Sequence, residues 1–409
     1  MEKKKCVLAG TGNRGIMAYI EPIVNGSISK TVQMCGIYDE VQKRAEICSR
    51  NYGNIPVFQD FETMLNQIHP DYVIVTTKDS NHHNYIIQAL DMGYDVITEK
   101  PITNTCEKAL KIMEAEKRSG HKVRVIFNLR YLKPIEDLKQ IVQSGKIGDV
   151  RHVDYVWLLD RSHGADYYRR WHRYMENTTS LLVHKSTHHF DVANWVIGKK
   201  PASVFARGTL EFYGKNGKYR GTCCHKCSYT DICPFYMDIT ASEFNRKYYY
   251  DIENESGYYR DGCVFDEKID IFDRMALNVS YEDGTTMNYS LTSYNPDEGM
   301  RIHLIGTKGR VEMKYYTSGP HKDEPIQIQI VTEDGKLEII NTSFEEGEHG
   351  GADKRMLDDL FSTDKAPDPL GRVAGSYAGY LSLAIGDMAV RSIKSGTDIK
   401  LSDIENEII

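Results

Sequence analysis

No apolar run in these 409 residues approaches the ~20 needed to carry a helix across a bilayer, so nothing in the chain reads as a membrane span. Basic residues are in deficit: 51 Lys and Arg stand against 58 Asp and Glu, for a net charge of −7. No basic stripe offsets this, which argues against a nucleic-acid partner. Internal repeats and low-complexity tracts are missing too, which excludes repeat architectures. Met1-Glu2-Lys3-Lys4-Lys5 leads into the first strand without an apolar signal region, and the expected compartment is the cytoplasm. There, nine cysteines are expected as free thiols or metal ligands rather than as a disulfide framework. What remains is ordinary globular material, 41% hydrophobic and 27% charged, long enough for two domains. These are expected at residues 1–132 and 133–409.

The most informative motif is Gly10-Thr11-Gly12-Asn13-Arg14-Gly15, which follows the apolar run Cys6-Val7-Leu8-Ala9 and opens a helical pattern. The first glycine permits the tight strand-to-helix turn, the second lets the backbone approach a pyrophosphate, and the third lets helix and strand pack closely. Free N–H groups at the helix start then face the phosphates, with Thr11, Asn13 and Arg14 beside them. Asp39 closes the next strand, where its carboxylate can accept both ribose hydroxyls and repel a 2′-phosphate. NAD is therefore expected over NADP, with Arg44 as the residue that complicates the choice.

The first third alternates apolar runs (5–10, 31–38, 72–77, 95–98, 122–127) with helical patterns, the rhythm of a doubly wound parallel sheet. From about Val150 the period changes to alternating segments with Asp283-Gly284 and Lys308-Gly309 between them, which predicts an open, mostly antiparallel sheet. Helices interrupt it at 181–197 and return at 353–361 and 374–394. The fold class is thus a Rossmann α/β domain followed by an α+β domain whose open sheet suits a homodimer or homotetramer interface. Glu99-Lys100-Pro101 sits at the C-terminal end of the strand Val96-Ile97-Thr98, the sheet edge at which ligands bind.

With these residues in view the chain resembles the oxidoreductase family of glucose–fructose oxidoreductase, inositol dehydrogenase and MocA, over nearly its whole length. Glu-Lys-Pro following a Thr-x-x-x-x-His segment carries the likeness; here that segment is Thr77-Lys78-Asp79-Ser80-Asn81-His82. The resemblance implies a two-domain NAD(P) enzyme in which Lys100 contacts substrate and cofactor. It places Thr77, Asn81, His82, Glu99 and Asn128 at the cofactor, Arg130 on the cleft, and the loop carrying His349 near the active site. The family's catalytic Asp-x-x-x-His falls on His184-Lys185-Ser186-Thr187-His188, so His188 is the expected acid–base group. His184 stands where the family has Asp, and its part is open between substrate binding, proton relay and none.

Arg161 to Tyr174 combines aromatic rings with arginine forks, a composition suited to a sugar or sugar acid or to a solvated basic helix; His163, Tyr168, Arg169, Trp171 and His172 are the candidate substrate contacts. Within an insertion around 214–265, Cys224, Cys227, Cys233 and Cys263 have the count for a closed structural zinc site, with Cys223 able to replace Cys224. An iron–sulfur cluster, metal-free thiols and a local disulfide are the alternatives. The expected function is NAD-dependent hydride transfer to or from a sugar hydroxyl. An NAD-dependent glycosidase working by transient oxidation and elimination is the second reading, and an NAD-sensing binding protein the third.

Overall fold

The computed structural model describes residues 3–362 and 367–408; Met1 and Glu2, on which the leader reading partly rests, lie outside them. The first sheet contains β1 (Lys4–Ala9), β2 (Val32–Tyr38), β3 (Tyr72–Val75), β4 (Val96–Glu99) and β5 (Val123–Ile126), all parallel. Their Val, Ile and Leu side chains are buried on both faces because helices cover the sheet on both sides. The spatial order is 5-4-3-1-2.

The second sheet is built on β6 (Val150–Asp160), β7 (Pro201–Thr209), β8 (Arg274–Tyr281), β9 (Thr286–Asn295), β10 (Gly299–Gly306), β11 (Gly309–Tyr316), β12 (Ile326–Thr332) and β13 (Leu337–Thr342). Neighbours are antiparallel except β6 and β9, which pair in parallel at the centre. Burial alternates strictly along β8, because one face covers the core and the other carries Arg274, Ala276, Asn278 and Ser280 to solvent. The 374–394 helix begins two residues later than its pattern predicts: β14 (Ala374–Gly375) pairs antiparallel with β5, closing the edge of the first sheet, and the helix runs Ser376–Ser395. β15 (Ile399–Lys400) then pairs with β7. The 181–197 helix is two segments, Leu181–His184 and Thr187–Ile197, broken at Lys185-Ser186. No helix among the described residues is long and apolar enough to cross a membrane.

Candidate active site

At the end of β1 the chain turns through Gly10, whose φ of +100° is left-handed and where a Cβ would stand 2.7 Å from Thr76 O. A Cβ on Gly15 would meet Gly10 O at 2.2 Å, so that position also requires glycine for helix to lie on strand. Over Gly12, by contrast, the nearest atom is the Tyr249 hydroxyl at 3.8 Å, which leaves the close approach a diphosphate needs. Asp39 is buried, its Oδ2 accepting from Thr11 N–H (2.7 Å) and Thr11 Oγ1 (2.8 Å) and its Oδ1 from Val41 N–H (2.8 Å). Arg44 Nη1 lies 3.4 Å from the same carboxylate.

Gly10, Gly12, Asn13, Arg14, Asp39, Thr77, His82, Glu99, Lys100 and Asn128 all line one cleft of about 1360 Å³, above the usual range for a single small ligand. Two expected cofactor contacts do not. Thr11 is fully buried and serves to pin Asp39, and Asn81 turns away to donate to Glu40 Oε1 (2.9 Å). Both rings of the predicted imidazole pair open into the cleft with Lys100, despite the helix break between them. Lys100 Nζ donates to His184 O at 3.1 Å, and loss of water pulls its ammonium down to about 8. Burial, with Lys100 and Lys185 nearby, holds His188 well below the usual imidazole range, so at neutral pH it is an acceptor of protons.

His184 has the carboxylate that its sequence position lacks. Asp79, from the Rossmann sheet edge, sits 2.6 Å from His184 Nδ1 and also accepts from Thr178 Oγ1 at 2.7 Å. Burial raises Asp79 to about 6 and lowers His184, so removal from water works against charge on both partners. An ionised Asp79 facing a neutral His184 fixes the proton on Nδ1 and leaves Nε2 free. Asp79 lay inside the Thr77–His82 segment, but a sequence shows no partner for it from across the cleft.

The Arg161–Arg169 helix, continued through Arg170, sorts its side chains by face. His163, Asp166, Tyr167 and Arg170, spaced i, i+3, i+4 and i+7, line the cleft, and Trp171 stacks on His172 there at 3.7 Å between ring centroids. His163 is held by Glu298 at 2.9 Å, and His349 by Asp353 at 2.8 Å. Three expected substrate contacts face elsewhere. Tyr168 is buried, stacked on Tyr213 at 4.0 Å with its hydroxyl on Phe272 O. Arg169 turns into the insertion, donating to Cys224 Sγ at 3.3 Å and to Phe235 O. Arg130 is locked in a two-point pair with Asp191 at 2.8 and 2.6 Å. Residues that the sequence reading missed are Asp79, Tyr167, Lys185 and, from the insertion, Tyr249, Tyr258 and Arg260.

The unsatisfied polar atoms also point to ligands. Asn128 Oδ1, His172 Nδ1, His188 Nδ1 and Arg260 Nη1 are buried without a partner among the described residues, and all four residues line the cleft. A dinucleotide fits the glycine turn and the buried acid beyond it.

The predicted zinc set does not fit in the same way. All nine cysteines are free thiols, and Cys223, Cys224, Cys227, Cys233 and Cys263 line one small cavity of about 20 Å³. Among the described residues, however, the set whose ligand atoms all lie within 4.8 Å of one another is Cys223, His225 and Asp261. A zinc tetrahedron with ~2.3 Å Zn–S bonds needs sulfurs about 3.8 Å apart. The quartet Cys224, Cys227, Cys233 and Cys263 shares a cavity without forming that cage.

YteT of Bacillus subtilis (strain 168) is 34% identical over 434 aligned positions, covering 98% of each protein. A scyllo-inositol 2-dehydrogenase (NAD(+)) of the same organism is 26% identical over 206 positions, covering 50% of this chain and 57% of the dehydrogenase. In structure, a levoglucosan dehydrogenase in complex with NADH superposes with a TM-score of 0.70 over 98% of this chain and 99% of that one, at 16% identity, and so shares the fold. Residues 4–127 match the oxidoreductase family model with an NAD-binding Rossmann fold, and residues 139–401 match its C-terminal alpha/beta domain. With both parts matched in order around one cleft, the chain belongs to the Gfo/Idh/MocA oxidoreductase family.

Proposed function

We propose that this protein is an NAD-dependent oxidoreductase that transfers a hydride between a sugar hydroxyl carbon and the nicotinamide. The observation that carries the reading is that Lys100, His188 and the Asp79–His184 pair open into the same cleft as the glycine turn and Asp39. Bound NAD would supply the hydride acceptor; Gly10, Gly12, Asn13 and Arg14 would hold its diphosphate and Asp39 its adenosine ribose. The neutral His188 takes the hydroxyl proton as the carbinol C–H bond is lost, and Lys100 donates to the oxygen as it becomes a carbonyl. The alcohol is thereby oxidised by two electrons, with its proton on His188. The open polar face of the second sheet is the surface proposed for self-association.

A second reading keeps the same residues. The Asp79–His184 pair is an additional acid–base group that simple alcohol oxidation does not require, and it suits glycoside cleavage by transient oxidation, elimination and return of the hydride. A library of sugars and aryl glycosides separates the two. Net formation of reduced coenzyme selects the dehydrogenase, aglycone release without it selects the glycosidase, and silence in both refutes the enzymatic reading in favour of a binding protein.

A further inference from the structure

At the substrate end of the cleft, two cationic groups are left short of acceptors by the described residues. Arg260 reaches it from the insertion and is 8% exposed. Its Nη2 pairs with Asp166 Oδ2 at 3.3 Å, while its Nη1 is buried with no acceptor among the described residues. Arg170 also leans on Asp166, its Nε 3.2 Å from the backbone oxygen and 3.9 Å from the carboxylate. Lys185, between the two catalytic imidazoles in sequence, has its ammonium over the Trp157 ring at 4.9 Å and no carboxylate partner among the described residues. Arg260 and Arg170 therefore share one carboxylate, and Lys185 has none among the described residues. Neighbouring carboxylates make their hydrogen bonds elsewhere, Glu298 to His163 and Asp79 to His184, while Glu255, which also lines the cleft, is exposed to solvent. These cations, together with burial, hold His172 and His184 in their neutral forms.

A buried guanidinium N–H left without an acceptor costs free energy, and such a group is retained where a ligand supplies the acceptor. An open guanidinium N–H and an ammonium without a carboxylate, beside the two imidazoles, suit a compact anion, which such a pair binds at two points. Asp166, only 3.3 Å from Arg260, favours a singly charged carboxylate over a dianionic phosphate. Tyr167 and Trp171 supply flat faces for the ring. We infer that the substrate is an acidic sugar, a hexuronate or its glycoside, whose carboxylate is held by Arg260, Lys185 and Arg170. The inference rests on the hydride-transfer reading above and narrows its substrate class.

The test uses the full chain loaded with NAD and matched pairs of sugars, each a hexuronate or its methyl glycoside against the neutral hexose counterpart, with hexose phosphates as the competing anions. Reduced coenzyme and ketosugar formation are both followed. The acid member is expected to exceed its neutral partner in kcat/KM by about 30-fold or more, chiefly through KM. Arg260→Gln and Lys185→Gln should each cut that ratio about tenfold. A ratio near one, a preference for the phosphates, or an undiminished ratio in both variants overturns the inference. If Arg260→Gln instead weakens NADH binding, measured by fluorescence titration, and leaves the ratio intact, the anion it serves is the coenzyme diphosphate and the inference falls. No turnover of either member of any pair overturns the hydride-transfer reading itself, and this inference with it.

Discussion

At the scale of single residues, the proposed chemistry depends on protonation states. Lys100 has a folded-state value of about 8, below the ordinary lysine value of ~10.4, so the ammonium proposed to donate to the substrate oxygen is lost as pH rises through that point. The kcat/KM profile should fall above about pH 8, and Lys100→Arg, always charged, should lose this limb while working more slowly. Lys100→Ala and His188→Ala should each lower turnover by about 10² or more with little change in NADH affinity, checked by steady-state kinetics beside fluorescence titration. Asp79 is raised to about 6, so in stability it favours folding only below its unfolded value and ceases to do so as pH rises through 6. At pH 7 its buried charge is a cost. Asp79→Asn should therefore not lower the melting temperature, and by releasing His184 it should cut any aglycone release about tenfold or more while sparing alcohol oxidation, followed with the two readouts above. Asp39→Ala should narrow a preference for NAD over NADP that is expected to be about tenfold or more, and equal affinities in the unaltered protein would refute that assignment. Lys100, His188 and Asp39 were legible because each stands at a strand end or in a spaced motif. Asp79 was not, because its partner His184 lies 105 residues away and only folding brings them together.

At the scale of elements, the sequence revealed periods better than directions. The composition of Arg161–Tyr174 suggested a sugar site, but an α-helix presents only one stripe to the cleft, and Tyr168 and Arg169 fall on the other faces. Their neighbours Tyr167 and Arg170 hold the positions expected of them. β13 escaped notice because it is an edge strand with Leu337 and Ile339 exposed, so it lacks the buried alternation that marks its neighbours. The insertion was expected, but its docking was not: nothing in its local pattern shows that Glu243–Tyr248 and the residues after it pack on the first domain. Tyr248 hydroxyl accepts from Asn51 at 2.9 Å, and Tyr249 hydroxyl accepts from Asn13 N–H at 3.1 Å, at the diphosphate turn. Arg44 lies over the Tyr249 ring at 5.3 Å. Tyr249→Phe keeps the ring and removes the hydroxyl, and NADH affinity should weaken about five- to tenfold, the worth of one hydrogen bond. An unchanged dissociation constant would make Tyr249 a packing residue only.

At the scale of the molecule, one carboxylate ties together three elements around the cleft. Asp353 opens the Ala352–Phe361 helix and accepts from Arg14 Nη1, Asn128 Nδ2 and His349 Nδ1, each at 2.8 Å. It thus joins the coenzyme helix, the end of the parallel sheet and the loop before the late helix. The hydrogen bonds from His349 and Arg14, and their charge, hold Asp353 well below the usual carboxylate range, against the opposing effect of burial. A depressed folded-state value means that the stability it contributes is complete above the unfolded value of ~3.9 and is lost as pH falls below it. Asp353→Asn should therefore destabilise the protein at pH 7 by about 2–3 kcal/mol, the range for charged hydrogen bonds left unmade. Below about pH 4 the gap between variant and parent should narrow by roughly 1.4 kcal/mol per pH unit, because the parent alone pays to keep this group ionised. Urea unfolding of both proteins at pH 7, 5 and 3.5 measures the gap. A constant difference across that series would place the stabilisation in packing rather than in charge, and Arg14 would then have to be anchored by Glu99 alone, 2.8 Å from its Nε.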